Sequence, residues 1–192
     1  PLKDYGVAYR QVDLVDDAPD PAGLAEAVAD PKVKAVLIQR SKGYSTRSSL
    51  SVDEIGALCA VVRKHNPHAA ILVDNCYGEF VQMTEPTDVG ADLCVGSLIK
   101  NPGGGLAPIG GYIAGKEEYV DNAAYRLTVP GMGREVGATL GVTKSLIQGF
   151  FMSPQVVNGS VKGAMFAAKL FENLGYDVLP SSDVKRADIV QS

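Results

Sequence analysis

The chain has 192 residues, 46% hydrophobic and 21% charged, and its 22 acidic side chains outnumber 18 basic ones for a formal charge of −4. That composition belongs to a globular protein and not a disordered one, and the lack of any basic block turns the reading away from nucleic acid. No run approaches the ~18 apolar residues of a membrane span, the first residues lack a signal peptide's apolar core, and a soluble, cytoplasmic protein is expected.

Residues 7–14 carry β-branched and aromatic side chains in partial alternation, which predicts a strand. Asp20-Pro21 then caps a short helix over 22–29. Residues 34–39 hold the unbroken run Ala35-Val36-Leu37-Ile38, the pattern of a strand buried on both faces. A polar loop covers 40–49. Ser51 to Glu54 form a capping box that opens a helix over 52–65, with Ile55, Leu58, Cys59 and Val62 at helical spacing. Strands are predicted at 70–73, 92–95 and 110–114, and helices over 117–128, 134–151 and 156–174, the last stopped by Gly175. Residues 176–179 read as the first strand of something new. Buried-type strands alternating with amphipathic helices specify an α/β fold, a mostly parallel sheet flanked by helices on both faces.

Cys59, Cys76 and Cys94 are an odd set without a CxxC pair, which fits reduced thiols. No cysteine lies near His65 or His68 in sequence, so no metal site is expected.

Ligands of open α/β sheets bind outside the carboxyl ends of the strands, which draws attention to Gln39-Arg40-Ser41, to Asp74-Asn75-Cys76-Tyr77 and to Gly96 through Lys100. The three are expected to meet in one crevice. An amine just past a buried strand, as at Lys100, is open to desolvation, which lowers its pKa and frees a nucleophilic lone pair. The alternative is a surface lysine before the flexible turn Asn101-Pro102-Gly103-Gly104-Gly105, whose glycines would also let the backbone approach a cofactor. Asp74 closes an apolar strand, where its carboxylate needs a cation or strong donors; a protonated pyridine nitrogen is one partner, loop amides are another. Ser97 lies three residues before Lys100, where its hydroxyl could donate to a phosphate, although a lone serine carries little weight. Arg40 offers a planar fork for an anion or is a solvated loop residue. A nucleotide-binding domain is the rival from another class, although the glycines follow Lys100 and match neither G-x-G-x-x-G nor G-x-x-x-x-G-K.

These pieces, Val73-Asp74-Asn75 and then Lys100 within Gly96-Ser97-Leu98-Ile99-Lys100, resemble the fold type I pyridoxal phosphate enzymes of cysteine and methionine metabolism. Segments 38–45, 73–80 and 96–114 are similar, more closely, to the methionine γ-lyase-like proteins often called the aluminium resistance family. The resemblance implies an aspartate aminotransferase-like fold, with 1–152 part of the cofactor-binding large domain. Residues 153–192 would be a connecting helix and the start of a small C-terminal domain, making the chain a fragment. It also implies that Lys100 forms the Schiff base with pyridoxal 5'-phosphate, Asp74 pairs with the pyridinium nitrogen and Ser97 contacts the phosphate, with Asn75, Arg40 and Tyr44 nearby. Ile99 stands where many relatives carry a threonine, and Cys76 replaces another. The implied activity is a carbon–sulfur lyase on a sulfur-containing amino acid, working as a homodimer or homotetramer. Thiol transfer, racemisation or a catalytically inert fragment are its rivals.

Overall fold

The computed structural model describes residues 2–129, 131–135 and 139–192. Helix α1 (Pro21–Val28) begins where sequence predicts it: Asp20 accepts from the Ala22 amide at 2.9 Å, and Pro21 has no amide to leave unsatisfied. Strand β1 (Ala35–Gln39) leads through the polar loop to α2 (Val52–His65). Both halves of the predicted capping box form, with Glu54 N donating to Ser51 Oγ at 3.2 Å and Ser51 N to the Glu54 carboxylate at 2.7 Å. Strands β2 (Ala70–Asp74), β3 (Leu93–Ser97) and β4 (Gly111–Gly115) complete a sheet of order β1-β2-β3-β4, parallel except for the antiparallel β3–β4 pair. Helix α3 (Glu117–Leu127) and the long α4 (Thr143–Asn173) follow. No helix among the described residues is long and apolar enough to cross a membrane.

The core lies between α2 and one face of the sheet. Ile55, Cys59 and Val62 pack with Ile38, Ile71, Val73 and Cys94, and all are buried. Each such aliphatic side chain contributes about 1.5–3 kcal/mol by leaving water. Asp92 staples this layer. Burial alone would push its carboxylate up, but Lys116 (2.7 Å) and Arg63 pair with it and Ile71 N donates to it at 2.7 Å, so its pKa falls below the ordinary value.

Four expectations are corrected. Residues 7–14 form no strand: they lie beside no ladder partner, and Val7, Tyr9 and Leu14 are exposed. Strand β1 is not buried on both faces, because its two-residue period turns Ile38 inward and leaves Leu37 66% exposed. The two helices predicted over 134–151 and 156–174 are one from Thr143, running through Pro154; Gly133–Glu135 is a separate 3₁₀ turn, and residues 136–138 lie outside the described ones. Residues 176–179 are not a strand. Instead the chain turns back, and Leu179 and Ser192 exchange backbone hydrogen bonds of 2.8 and 2.9 Å.

Candidate active site

In-phase pairing fixes the site's location. Gln39 pairs with Asp74 and Asp74 with Val95, so β1, β2 and β3 end together and deliver the three predicted segments to one edge. The ladder continues one step further, with Arg40 N donating to Asp74 O and Asn75 N to Val95 O.

At the outer rim Cys76 is the hub. Its thiol lies close enough to Asp74, the Ser97 backbone and Lys100 for each to act on its titration. Cys76 N also donates to Asp74 Oδ1 at 3.1 Å. Burial first, then the neighbouring carboxylate, push the Cys76 thiol up, so it stays protonated at neutral pH. Lys100 Nζ lies 4.2 Å from the centroid of the Tyr77 ring, a cation–π contact, and the side chain is half-buried. Tyr77 itself has φ 68°, a left-handed conformation costly for a non-glycine residue and held here by the turn. The expected desolvated amine is therefore corrected: burial pulls the Lys100 pKa down, but Cys76 and Tyr77 outweigh it and the net direction is upward. Ser97 Oγ accepts from Ile99 N at 3.3 Å and sits at the same edge.

Behind this rim lies a buried polar cluster. Arg40 is fully buried and its Nη atoms donate to Asn75 (2.7 Å), Gln82 (2.9 Å) and Glu85 (3.4 Å). Its place is thus not in solvent; it fixes the Asn75 amide, which donates to Glu85 at 2.8 Å and to the Tyr112 hydroxyl at 3.4 Å. Tyr112 in turn donates to Glu79 Oε1 at 2.9 Å. Burial pushes the Glu79 carboxyl up to about 7, against smaller downward effects of its hydrogen bonds. Burial and the adjacent Glu79 push the Tyr112 hydroxyl up as well. Gly78 makes the cluster possible, since a Cβ there would stand 2.3 Å from Arg40 Nε.

The structure brings Lys100, Asp74 and Ser97 together, places Asn75 and Arg40 behind them, and leaves Tyr44 fully exposed on the 40–49 loop. Sequence reading missed Glu79, Gln82, Glu85 and Tyr112. Glu79 and Tyr112 are joined only by the antiparallel seating of β4 on β3, and no local signal announces that. The glycine turn also differs from expectation. A Cβ at Gly104 would stand 2.3 Å from Gly149 O, and one at Gly149 would stand 2.1 Å from Gly103 O. These glycines serve close packing of α4, reinforced by Ser153 Oγ donating to Pro102 O at 2.7 Å.

A family model described as methionine gamma-lyase matches residues 1–192. YnbB, an uncharacterized protein of Bacillus subtilis, is 48% identical over 191 residues, 100% of this chain and 45% of its own. A crystal structure from Clostridium acetobutylicum, provisionally assigned as a cystathionine beta-lyase involved in aluminium resistance, superposes with TM-score 0.96 at 52% identity, covering 99% of this chain and 46% of that one. An aspartate aminotransferase from Thermus thermophilus, 16% identical with TM-score 0.57 over 88% of this chain and 49% of that one, shares the fold. The chain spans about half the length of the curated relatives it matches.

Proposed function

The chain belongs to the methionine gamma-lyase family, a carbon–sulfur lyase-like group, and from that premise we propose that it supplies the cofactor-binding part of a pyridoxal phosphate-dependent carbon–sulfur lyase acting on a sulfur-containing amino acid. One observation carries this: the in-phase pairing of β2 and β3 delivers Asp74 and the segment ending in Lys100 to the same sheet edge, where Asp74 Oδ1 accepts from Cys76 N at 3.1 Å and Lys100 Nζ lies 4.2 Å from the ring of the next residue, Tyr77. A cation-seeking carboxylate and a reachable amine are the two groups a pyridine aldehyde needs, so the residues fit it. When bound, such a group is an electron sink for charge developing at an amino acid's α-carbon.

In this scheme Lys100 would hold the cofactor through its Nζ, and the same amine would be the base that takes a proton from the substrate's α-carbon. Asp74 would keep the ring nitrogen protonated by its charge, and Ser97 would offer its hydroxyl to the phosphate. Arg40 and Asn75 act through the backbone, holding the turn that presents Asp74 and Cys76. Tyr77 supplies a π-face that keeps the ammonium positioned. Loss of a β- or γ-thiol, followed by hydrolysis with one water, would leave a keto acid and ammonia. The scheme includes a homodimer or homotetramer, measurable by light scattering.

The test is optical. Full-length protein with pyridoxal phosphate should absorb visible light, and borohydride should fix the cofactor on a peptide containing Lys100. Lys100→Ala should remove both signals; a wild-type protein that stays colourless and unlabelled sinks the proposal.

A further inference from the structure

After α4 the chain folds back over the 40–49 loop and is pinned there. Asp188 Oδ2 accepts from Ser41 at 2.6 Å and from Ser49, Asp188 Oδ1 accepts from Val190 N at 3.0 Å, and Ile189 N donates to Tyr77 O at 3.1 Å. This strap carries Arg186 inward until only 6% of it is exposed, and none of its Nε, Nη1 and Nη2 atoms has a hydrogen-bond partner among the described residues. A guanidinium cannot shed its charge, and burying one unpaired costs several kcal/mol by order of magnitude. The nearby carboxylates are committed elsewhere: Asp188 to the two serines, and Glu172 to Ser182 at 2.7 and 2.6 Å and to Lys169. Beside Arg186 is a cavity of about 40 Å³, also lined by Lys42, Arg47, Lys185, Ser48 and Ser49. Its walls thus hold four cations against the single carboxylate of Asp188. The volume accommodates roughly three waters, which is the room one small oxoanion needs. Arg47 already donates to the carbonyls of Gln39, Ser41 and Ser48 and contributes field, so the open donors are those of Arg186.

We propose that this cavity binds a small oxoanion, a carboxylate or inorganic phosphate, seated on the Arg186 fork. It is separate from the cofactor site, since none of Lys100, Cys76 and Asp74 lines it. Its matching donors are planar and paired, the geometry that carboxylates and phosphates accept bidentately.

Titrating inorganic phosphate, and separately acetate, into the full-length protein at fixed ionic strength should give one saturable binding heat; which anion binds tighter tells tetrahedral from planar preference. Arg186→Gln should weaken that binding at least ~10-fold, while Ser97→Ala, which touches only the proposed cofactor-phosphate contact, should leave it unchanged. Lys185→Gln, an exposed position, should weaken it roughly threefold and serves where Arg186→Gln does not fold. Absence of saturable heat with both anions, equal affinity in Arg186→Gln or, failing that variant, in Lys185→Gln, or loss in Ser97→Ala alone overturns the assignment. So does a crystal structure of the full-length protein that shows only water or one of its own side chains on Arg186.

Discussion

Arg40 and Lys100 each follow a strand of the same mostly parallel sheet, yet the fold gives them opposite surroundings. Arg40 is sealed at 0% exposure among Asn75, Gln82 and Glu85, whereas Lys100 stays half-open over the aromatic face of Tyr77. The lesson is that a cation after a strand end becomes structural when carboxylate and amide acceptors close around it. It stays available for chemistry when its partners are weak acceptors that leave its face free.

Paired substitutions break this comparison most sharply. Arg40→Met should destabilise the protein by about 3–5 kcal/mol in denaturant unfolding, because it strands buried carboxylate and amide groups. Lys100→Met should cost less than about 1 kcal/mol while removing all cofactor-dependent absorbance and turnover. Equal stability losses in the two variants would erase the distinction. Gly78→Ala attacks the inner region from the other side: with a Cβ 2.3 Å from Arg40 Nε, a loss of roughly 1–3 kcal/mol from overpacking is expected.

Glu79 sharpens the contrast through pH. Its folded-state pKa is raised, so the stabilisation it brings is present below its unfolded value and is lost as pH rises toward about 7. Glu79→Gln should therefore leave stability near wild type at pH 4.5 and improve it at pH 8, by at most roughly 3 kcal/mol. A variant no more stable than wild type at pH 8 would contradict the buried, proton-holding assignment. The smallest effect belongs to the rim. Cys76 and Tyr77 raise the Lys100 pKa, so only a minor fraction of the amine is neutral at pH 7 and cofactor loading should speed up with rising pH. Cys76→Ala should move that loading profile to lower pH, followed by stopped-flow absorbance; an unmoved profile would remove the thiol from the account.

Much of this was legible along the chain. The capping box at Ser51, the Asp20 cap, the apolar runs of β1 to β3 and the placement of Asp74, Ser97 and Lys100 at one sheet edge all follow from local pattern. Local pattern misled at residues 7–14, where strand-forming side chains have no neighbour to pair with, and at Pro154, which α4 passes through.

The sequence by itself determined that strands alternate with helices and which residues leave the strands' carboxyl ends, because those depend on periodicities and caps within a few residues of each position. Only the tertiary structure decided that Arg40 is sealed, that Glu79 meets Tyr112, that the glycine turn packs on Gly149 and that Lys100 stays protonated against Cys76. Burial and charge pairing are properties of neighbours far apart in the chain, and a group's pKa responds to those neighbours and not to its own place in the sequence.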